Sequence, residues 1–107
     1  MNRPRSLDAF SLAAHQLAVA RLREKPARLR EATEVLQRWR RLAAGPSHCD
    51  TYWDAWEKLL NEGTDAVEAA VCHSGEPAAT LRSASPLGRF ISVAERNRLL
   101  REAREAS

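Results

Sequence analysis

Apolar residues recur along this chain at three- and four-residue steps, the period of a helix that lays one face on a core. Leu7, Phe10, Ala14, Leu17 and Ala18 share such a face, which predicts a first helix from Ser6 to just before Pro26. Ser6 offers its side-chain oxygen to unpaired backbone N–H groups at the start, and Asp8 suits the dipole there. Pro26 ends the run, since it lacks an N–H and clashes with the preceding turn, and it fits the first position of a second helix. That helix carries Leu29, Ala32, Leu36, Trp39 and Leu42 on one face and stops at Gly45-Pro46.

A third helix is predicted from near Ser47 or Asp50 to about Asn61, with Trp53, Trp56, Leu59 and Leu60 together. Gly63 terminates it, and Thr64 caps a short helix holding Val67, Ala70 and Val71. Gly75-Glu76-Pro77 breaks that one, and a brief helical turn covers 78–82. Residues 83–88 read as a loop, because Pro86 restricts Ser85 and Gly88 frees the backbone. The last helix carries the sharpest local signal. Ser92-Val-Ala-Glu95 is a capping box, in which Ser92 bonds the third N–H and Glu95 reaches back. Val93, Leu99, Leu100 and Ala103 give this helix an apolar side. No stretch alternates apolar and polar residues for long, and β-branched residues are sparse. The expected fold is all-α: a small bundle of five to six helices with no sheet. It forms a single domain over 1–107, with 1–6 and 105–107 read as disordered ends.

With 107 residues the chain has the length of one small domain. Its 44% hydrophobic and 29% charged residues exclude a disordered tail. No uncharged stretch approaches the roughly 20 apolar residues of a membrane span, and no apolar run follows the basic Met1–Arg5 segment. A cytoplasmic protein is therefore the expectation, and two cysteines do not make a disulfide framework. A domain of this size buries only about 65% of its unfolded surface. The Ala-rich face of the first helix fills little volume, which makes a partner, or a second copy of the chain, a source of further stability.

Charge is segregated beneath a net +3. Residues 1–48 hold ten Lys/Arg against four Asp/Glu, net +6; residues 49–79 hold one against seven, net −6; residues 80–107 hold six against three, net +3. On one reading Arg21, Arg23, Lys25, Arg28 and Arg30, extended by Arg38, Arg40 and Arg41, meet an acidic partner. On the other, the acidic middle pairs with the basic ends inside one molecule.

His48-Cys49 and Cys72-His73 are the only cluster of soft ligands. Adjacent residues rarely point at one metal, and zinc sites separate their ligands by two to four residues, so no metal is expected. A Cys–His nucleophile would need an orienting third group and an oxyanion site, and neither is indicated. Cys72 reads as a small core residue and His15 as a surface or satisfied core histidine. Asp50, Asp54 and Glu57 lie at helical spacing and read as a solvated face. Phosphate-binding, dinucleotide-binding and metalloprotease motifs are missing. No catalytic residue, no cofactor and no enzyme activity are expected.

Trp and Arg are enriched in binding hot spots, where each removes a large area from water yet keeps a polar handle. Tyr52 and the arginine-flanked Trp39 are the aromatic interface candidates, while Trp53 and Trp56 read as core. Two stretches carry a resemblance. One is Pro26, Leu29, Leu36 and Arg38-Trp39. The other runs from Trp56-Glu-Lys-Leu-Leu60 through Leu81-Arg-Ser-Ala-Ser-Pro86-Leu to Ser92-Val-Ala-Glu-Arg96 and Leu99-Leu-Arg101. Together they resemble small helical antitoxins of bacterial two-gene toxin–antitoxin modules, although an aromatic often follows the Ser-Pro there and Leu87 follows it here. The resemblance implies a protein that neutralises a cognate toxin by direct contact and supplies no catalytic residues.

The partner-binding residues expected are Arg38, Trp39, Arg41, Tyr52, Arg82, Arg89 and Phe90, the last three placed where the 83–90 loop meets its flanking helices. Phe90 has a second reading, as a buried staple before Ser92. The alternative function is a helix-turn-helix regulator whose last helix reads DNA through Arg96, Asn97, Arg98 and Arg101.

Overall fold

Six helices and one 3-10 turn make up the computed structural model, which describes residues 5–43, 45 and 49–106. They are α1 (Arg5–Glu24), α2 (Arg28–Ala43), α3 (Asp50–Glu62), α4 (Thr64–Val71), α5 (Glu76–Ser83), the 3-10 turn Gly88–Phe90 and α6 (Val93–Ala106). Among the described residues there is no strand, and the fold is an all-α bundle. α1 is its axis, packing against α2, α4, α5, α6 and the 3-10 turn, while α3 bridges α2 and α4.

Local chemistry sets most of the boundaries. Gly63 serves two helices at once: its N–H donates to the Leu59 carbonyl at 3.1 Å, and its carbonyl accepts from the Val67 N–H at 3.2 Å. Its φ of 112° and ψ of −179° lie where only glycine rests without strain. At α6 the capping box forms as read. The Ser92 N–H donates to Glu95 Oε1 at 2.9 Å, and the Glu95 N–H donates to Ser92 Oγ at 3.1 Å.

Other boundaries shift. α1 begins at Arg5, so Ser6 lies inside the helix rather than capping it. Pro26 stands two residues ahead of α2, in a turn whose amides at Arg28, Leu29 and Arg30 reach three residues back. Continuous pairing makes α5 a full eight-residue helix with Pro77 in its first turn, where a missing N–H costs nothing. Residues 5, 6, 105 and 106 are helical rather than disordered; 1–4 and 107 lie outside the described residues.

The core gathers Val19 and Leu22 of α1, Leu36 of α2, Trp56 and Leu60 of α3, Val67 and Val71 of α4, and Leu87 and Phe90 after α5. Trp56 is fully buried, and its Nε1–H donates to the Leu81 carbonyl at 2.8 Å, which satisfies the one polar atom it brings inside. Three residues assigned to apolar faces stay outside: Leu7, Leu42 and Val93 are 50%, 75% and 75% exposed. Each sits in the first or last turn of its helix, beyond the reach of the neighbouring elements.

The charge segregation resolves largely inside the molecule. Arg23 of α1 meets Asp65 and Glu68 of α4 at 2.9 Å each, and Arg40 of α2 meets Asp54 of α3 at 2.7 Å and Glu57 at 3.9 Å. The acidic middle is thus the counter-charge of the basic N-terminal half.

Candidate protein-binding face

The seven expected contact residues divide by burial. Arg82 and Phe90 are inside and are withdrawn from any contact surface. Arg82 is 5% exposed. Its Nη1 donates to the Val71 carbonyl at 2.9 Å and the His73 carbonyl at 2.8 Å, and its Nε donates to Ser11 Oγ at 3.0 Å. It therefore locks the C-terminal end of α4 to α5 and α1, where helix carbonyls lack intrahelical partners and favour a cation. Phe90 is part of the core cluster, as in the staple reading. The loop 83–90 is not an inserting finger: Pro86 and Leu87 are buried and the Leu87 N–H donates to Ser85 Oγ at 3.1 Å. Arg89 is half exposed, with Nη2 3.7 Å from Glu31 of α2.

The other four lie where α2 ends and α3 begins. Trp39 packs half-buried on the core, which leaves an edge for contact. Arg38 and Arg41 are exposed and pair with no carboxylate among the described residues. Leu42, 75% exposed, follows directly, and Tyr52 of α3 is 38% exposed. Arg40 ties the two helices beneath this face, with its guanidinium 5.9 Å from the Trp53 ring centroid and bonded to Asp54. The result is an end of the α2–α3 pair bearing two cations that meet no described carboxylate, an exposed aliphatic and a tyrosine.

Cys49 and Cys72 are half-buried, His48 lies outside the described residues, and His73 is exposed with Nδ1 2.8 Å from the Ser74 carbonyl. Among the described residues no three His, Cys, Asp or Glu side chains gather as metal ligands. Burial, helped by the charge of Glu68, pushes the Cys72 thiol up, away from the reactive thiolate. His15 is a partly satisfied interior histidine. Its Nδ1 lies 2.8 Å from the Ser11 carbonyl, which can only accept, so Nδ1 carries the proton and Nε2 is a buried lone pair without a partner among the described residues. Burial holds the imidazole below its ordinary pKa, and the nearby Arg82 charge adds to this.

Two features have no counterpart in the linear pattern. Arg21 of α1 grips both oxygens of Glu95 through Nη1, at 2.7 Å, and Nη2, and also donates to the Phe90 carbonyl at 2.8 Å. This bidentate contact, with the Ser92 amide second, holds the Glu95 carboxyl down at about 2. The capping box was the only local sign that Glu95 had a task. The second is a cavity of about 280 Å³ bordered by α1, the 83–91 segment and the start of α6. Compared with protein families, curated proteins and solved structures, the chain matches none.

Proposed function

We propose that this chain is a non-enzymatic protein-binding inhibitor, an antitoxin that neutralises a toxin partner by direct contact through the open end of the α2–α3 pair. One observation carries the reading: among the described residues Arg38 and Arg41 pair with no carboxylate and stand on α2 beside the exposed Leu42, with the partly exposed Tyr52 on α3, whereas the neighbouring Arg40 is bound to Asp54. A partner surface with carboxylates around an apolar notch complements this arrangement, the charges guiding encounter and the aromatic edge supplying the buried area. The reading places the protein in the cytoplasm; no helix among the described residues is long and apolar enough to cross a membrane. The test is co-expression with the adjacent small reading frame. That frame should arrest growth alone and be harmless together with this chain, and the triple variant Arg38→Ala, Arg41→Ala, Tyr52→Ala should lose the protection. Protection by the folded triple variant equal to the native chain would defeat the reading.

A second reading, operator binding, is favoured by the solvent face of α6. Asn97, Arg101 and Arg104 are exposed there at four- and three-residue steps, and among the described residues Arg98 is the arginine of this helix that meets a carboxylate, Glu102 at 3.8 Å. Duplex affinity that falls steeply with salt would support it.

A further inference from the structure

The cavity beside α1 is a separate matter from the α2–α3 face, and what lines it is one-sided. Among the described residues its wall contains no carboxylate. Its cations are Arg82, committed to backbone carbonyls, and Arg96, which is exposed, pairs with no carboxylate among the described residues and rests 5.6 Å from the Phe10 ring centroid. Two hydroxyls of the wall are half used. Ser11 Oγ accepts from Arg82 Nε, and Ser85 Oγ accepts from the Leu87 N–H, but neither hydroxyl proton is donated to another described residue. A hydroxyl has one proton to give besides its lone pairs. Three donors, two neutral and one cationic, thus border a space that holds no carboxylate, and His15, also on the wall, brings its Nε2 lone pair to it as an acceptor. Beyond these and the polar His15 and Ser83, the lining is apolar, with Phe10, Leu87 and Ile91 prominent.

Size narrows the occupant. A dry cavity of about 150 Å³ suffices for benzene. The 280 Å³ here accommodates one six-membered ring and a short acidic arm. We propose that this cavity is a binding site for a small organic carboxylate with an apolar body, its ring against Phe10, Leu87 and Ile91 and its carboxylate on Arg96 and the hydroxyls of Ser11 and Ser85. A charged acceptor meeting a guanidinium and two hydroxyls makes hydrogen bonds about twice as strong as neutral ones. Free phosphate would gain the same donors but leave the apolar wall uncovered.

The experiment is an amide NMR titration of the full chain with 3-phenylpropionate at neutral pH, alongside 3-phenylpropanol and inorganic phosphate. The acid should saturate with a Kd near or below about 1 mM, an ordinary affinity for about a dozen heavy atoms. Its shifts should centre on Phe10, Ser11, Leu87 and Ile91. The alcohol and phosphate should each bind at least about tenfold more weakly, since each lacks one half of the recognition. Arg96→Gln, at an exposed position whose change leaves the fold intact, should cost the acid a similar factor. The His15 imidazole, which borders the cavity, should titrate at higher pH with the acid bound, because a neighbouring anion favours imidazolium. Absence of saturation, equal binding of the alcohol or of phosphate, or indifference to Arg96→Gln would each overturn the site. None of these results bears on toxin neutralisation, which is read by growth.

Discussion

Arg82 and Arg41 are the same side chain on helices of one small protein, and they are held in opposite ways. Arg82 is buried, its guanidinium shared among the Val71 and His73 carbonyls and the Ser11 hydroxyl. Arg41 stands in water with no carboxylate partner among the described residues. The difference comes from what the tertiary fold brings near. α5 delivers Arg82 to the carbonyl end of α4, where orphan acceptors need a donor, whereas among the described residues no element covers the outer face of α2. A buried arginine is thus a structural clamp, and an exposed one beside an apolar patch is a surface free for another molecule. Arg21 belongs with the clamps, joining α1 to α6, and Arg38 with the free cations.

The comparison is broken most easily at Arg82. Arg82→Ala leaves the Val71 and His73 carbonyls buried without their charged donor. Losing charge-assisted bonds and stranding their acceptors costs about 3 kcal/mol, which lowers Tm by on the order of 10 °C or more in a domain of this size. Urea unfolding followed by circular dichroism measures it. A native-like midpoint would show that the clamp is ornamental and that burial does not separate the two classes of arginine.

Gly63 comes next. No atom lies within 4 Å of where its Cβ would stand, so Gly63→Ala meets no steric obstacle. The cost is backbone strain alone, about 1–3 kcal/mol for a residue with a side chain in that region. The same denaturation experiment reads it, and a smaller loss would mean that the α3–α4 corner relaxes toward a conformation that alanine tolerates.

The third effect depends on pH and tests whether Arg21 is a clamp. Glu95 is depressed to about 2 in the folded protein by Arg21 and the Ser92 amide, against 4.5 for a free glutamate. A depressed carboxyl contributes stability that is fully present above the unfolded value and is lost as pH falls through the folded one. The urea midpoint should therefore decline between pH 4.5 and about 2 and change little from this source above it. Glu95→Gln should flatten that part of the profile. His15 adds a second, higher window of the same sign. Its imidazole is lowered by burial, so the unfolded chain takes up the proton first and stability falls as pH drops below 6.5.

These cases also show how far the linear pattern reaches. The α6 start, the Gly63 corner and the Gly75-Pro77 break lie within a few neighbouring residues, so their chemistry is local and legible. Helix faces are less so. Leu7, Leu42 and Val93 satisfy the helical period yet stay exposed, because periodicity says which side a residue is on and not whether a neighbour extends that far. Val19 and Leu22 went unassigned because α1 is wrapped by several elements and buries a wider stripe than one row of steps. The candidate site divides in the same way. Arg38, Trp39, Arg41 and Tyr52 belong to two consecutive helices, α2 and α3, and keep exposed or half-buried positions there. Arg82 and Phe90 were misplaced because their burial is set by α1 and α4, more than ten residues away in sequence. The Arg21–Glu95 contact and the cavity join residues about seventy or more positions apart, and no spacing rule connects them.

The smallest effect on stability is expected at the face proposed to matter most for the partner. Arg38→Ala and Arg41→Ala remove exposed side chains that bond no described carboxylate, so each should leave the unfolding free energy within about 0.5 kcal/mol of the native value. Binding should respond quite differently. An arginine at the centre of a protein interface typically loses about 2 kcal/mol or more on truncation, a factor of about thirty in Kd, while a rim charge mainly slows association. The two variants, measured against the neutralised partner by calorimetry and by association rate at two salt concentrations, therefore sort the pair. Arg41 adjoins the exposed Leu42 and should show the larger rise in dissociation rate. Arg38, one turn back, should show the larger salt dependence of association. Reciprocal results would relocate the centre of the contact toward Trp39. Unchanged kinetics in both variants, together with unchanged stability, would place Arg41 among arginines that serve only as solvated surface, and the distinction drawn from Arg82 would then separate structure from solvent and not structure from function.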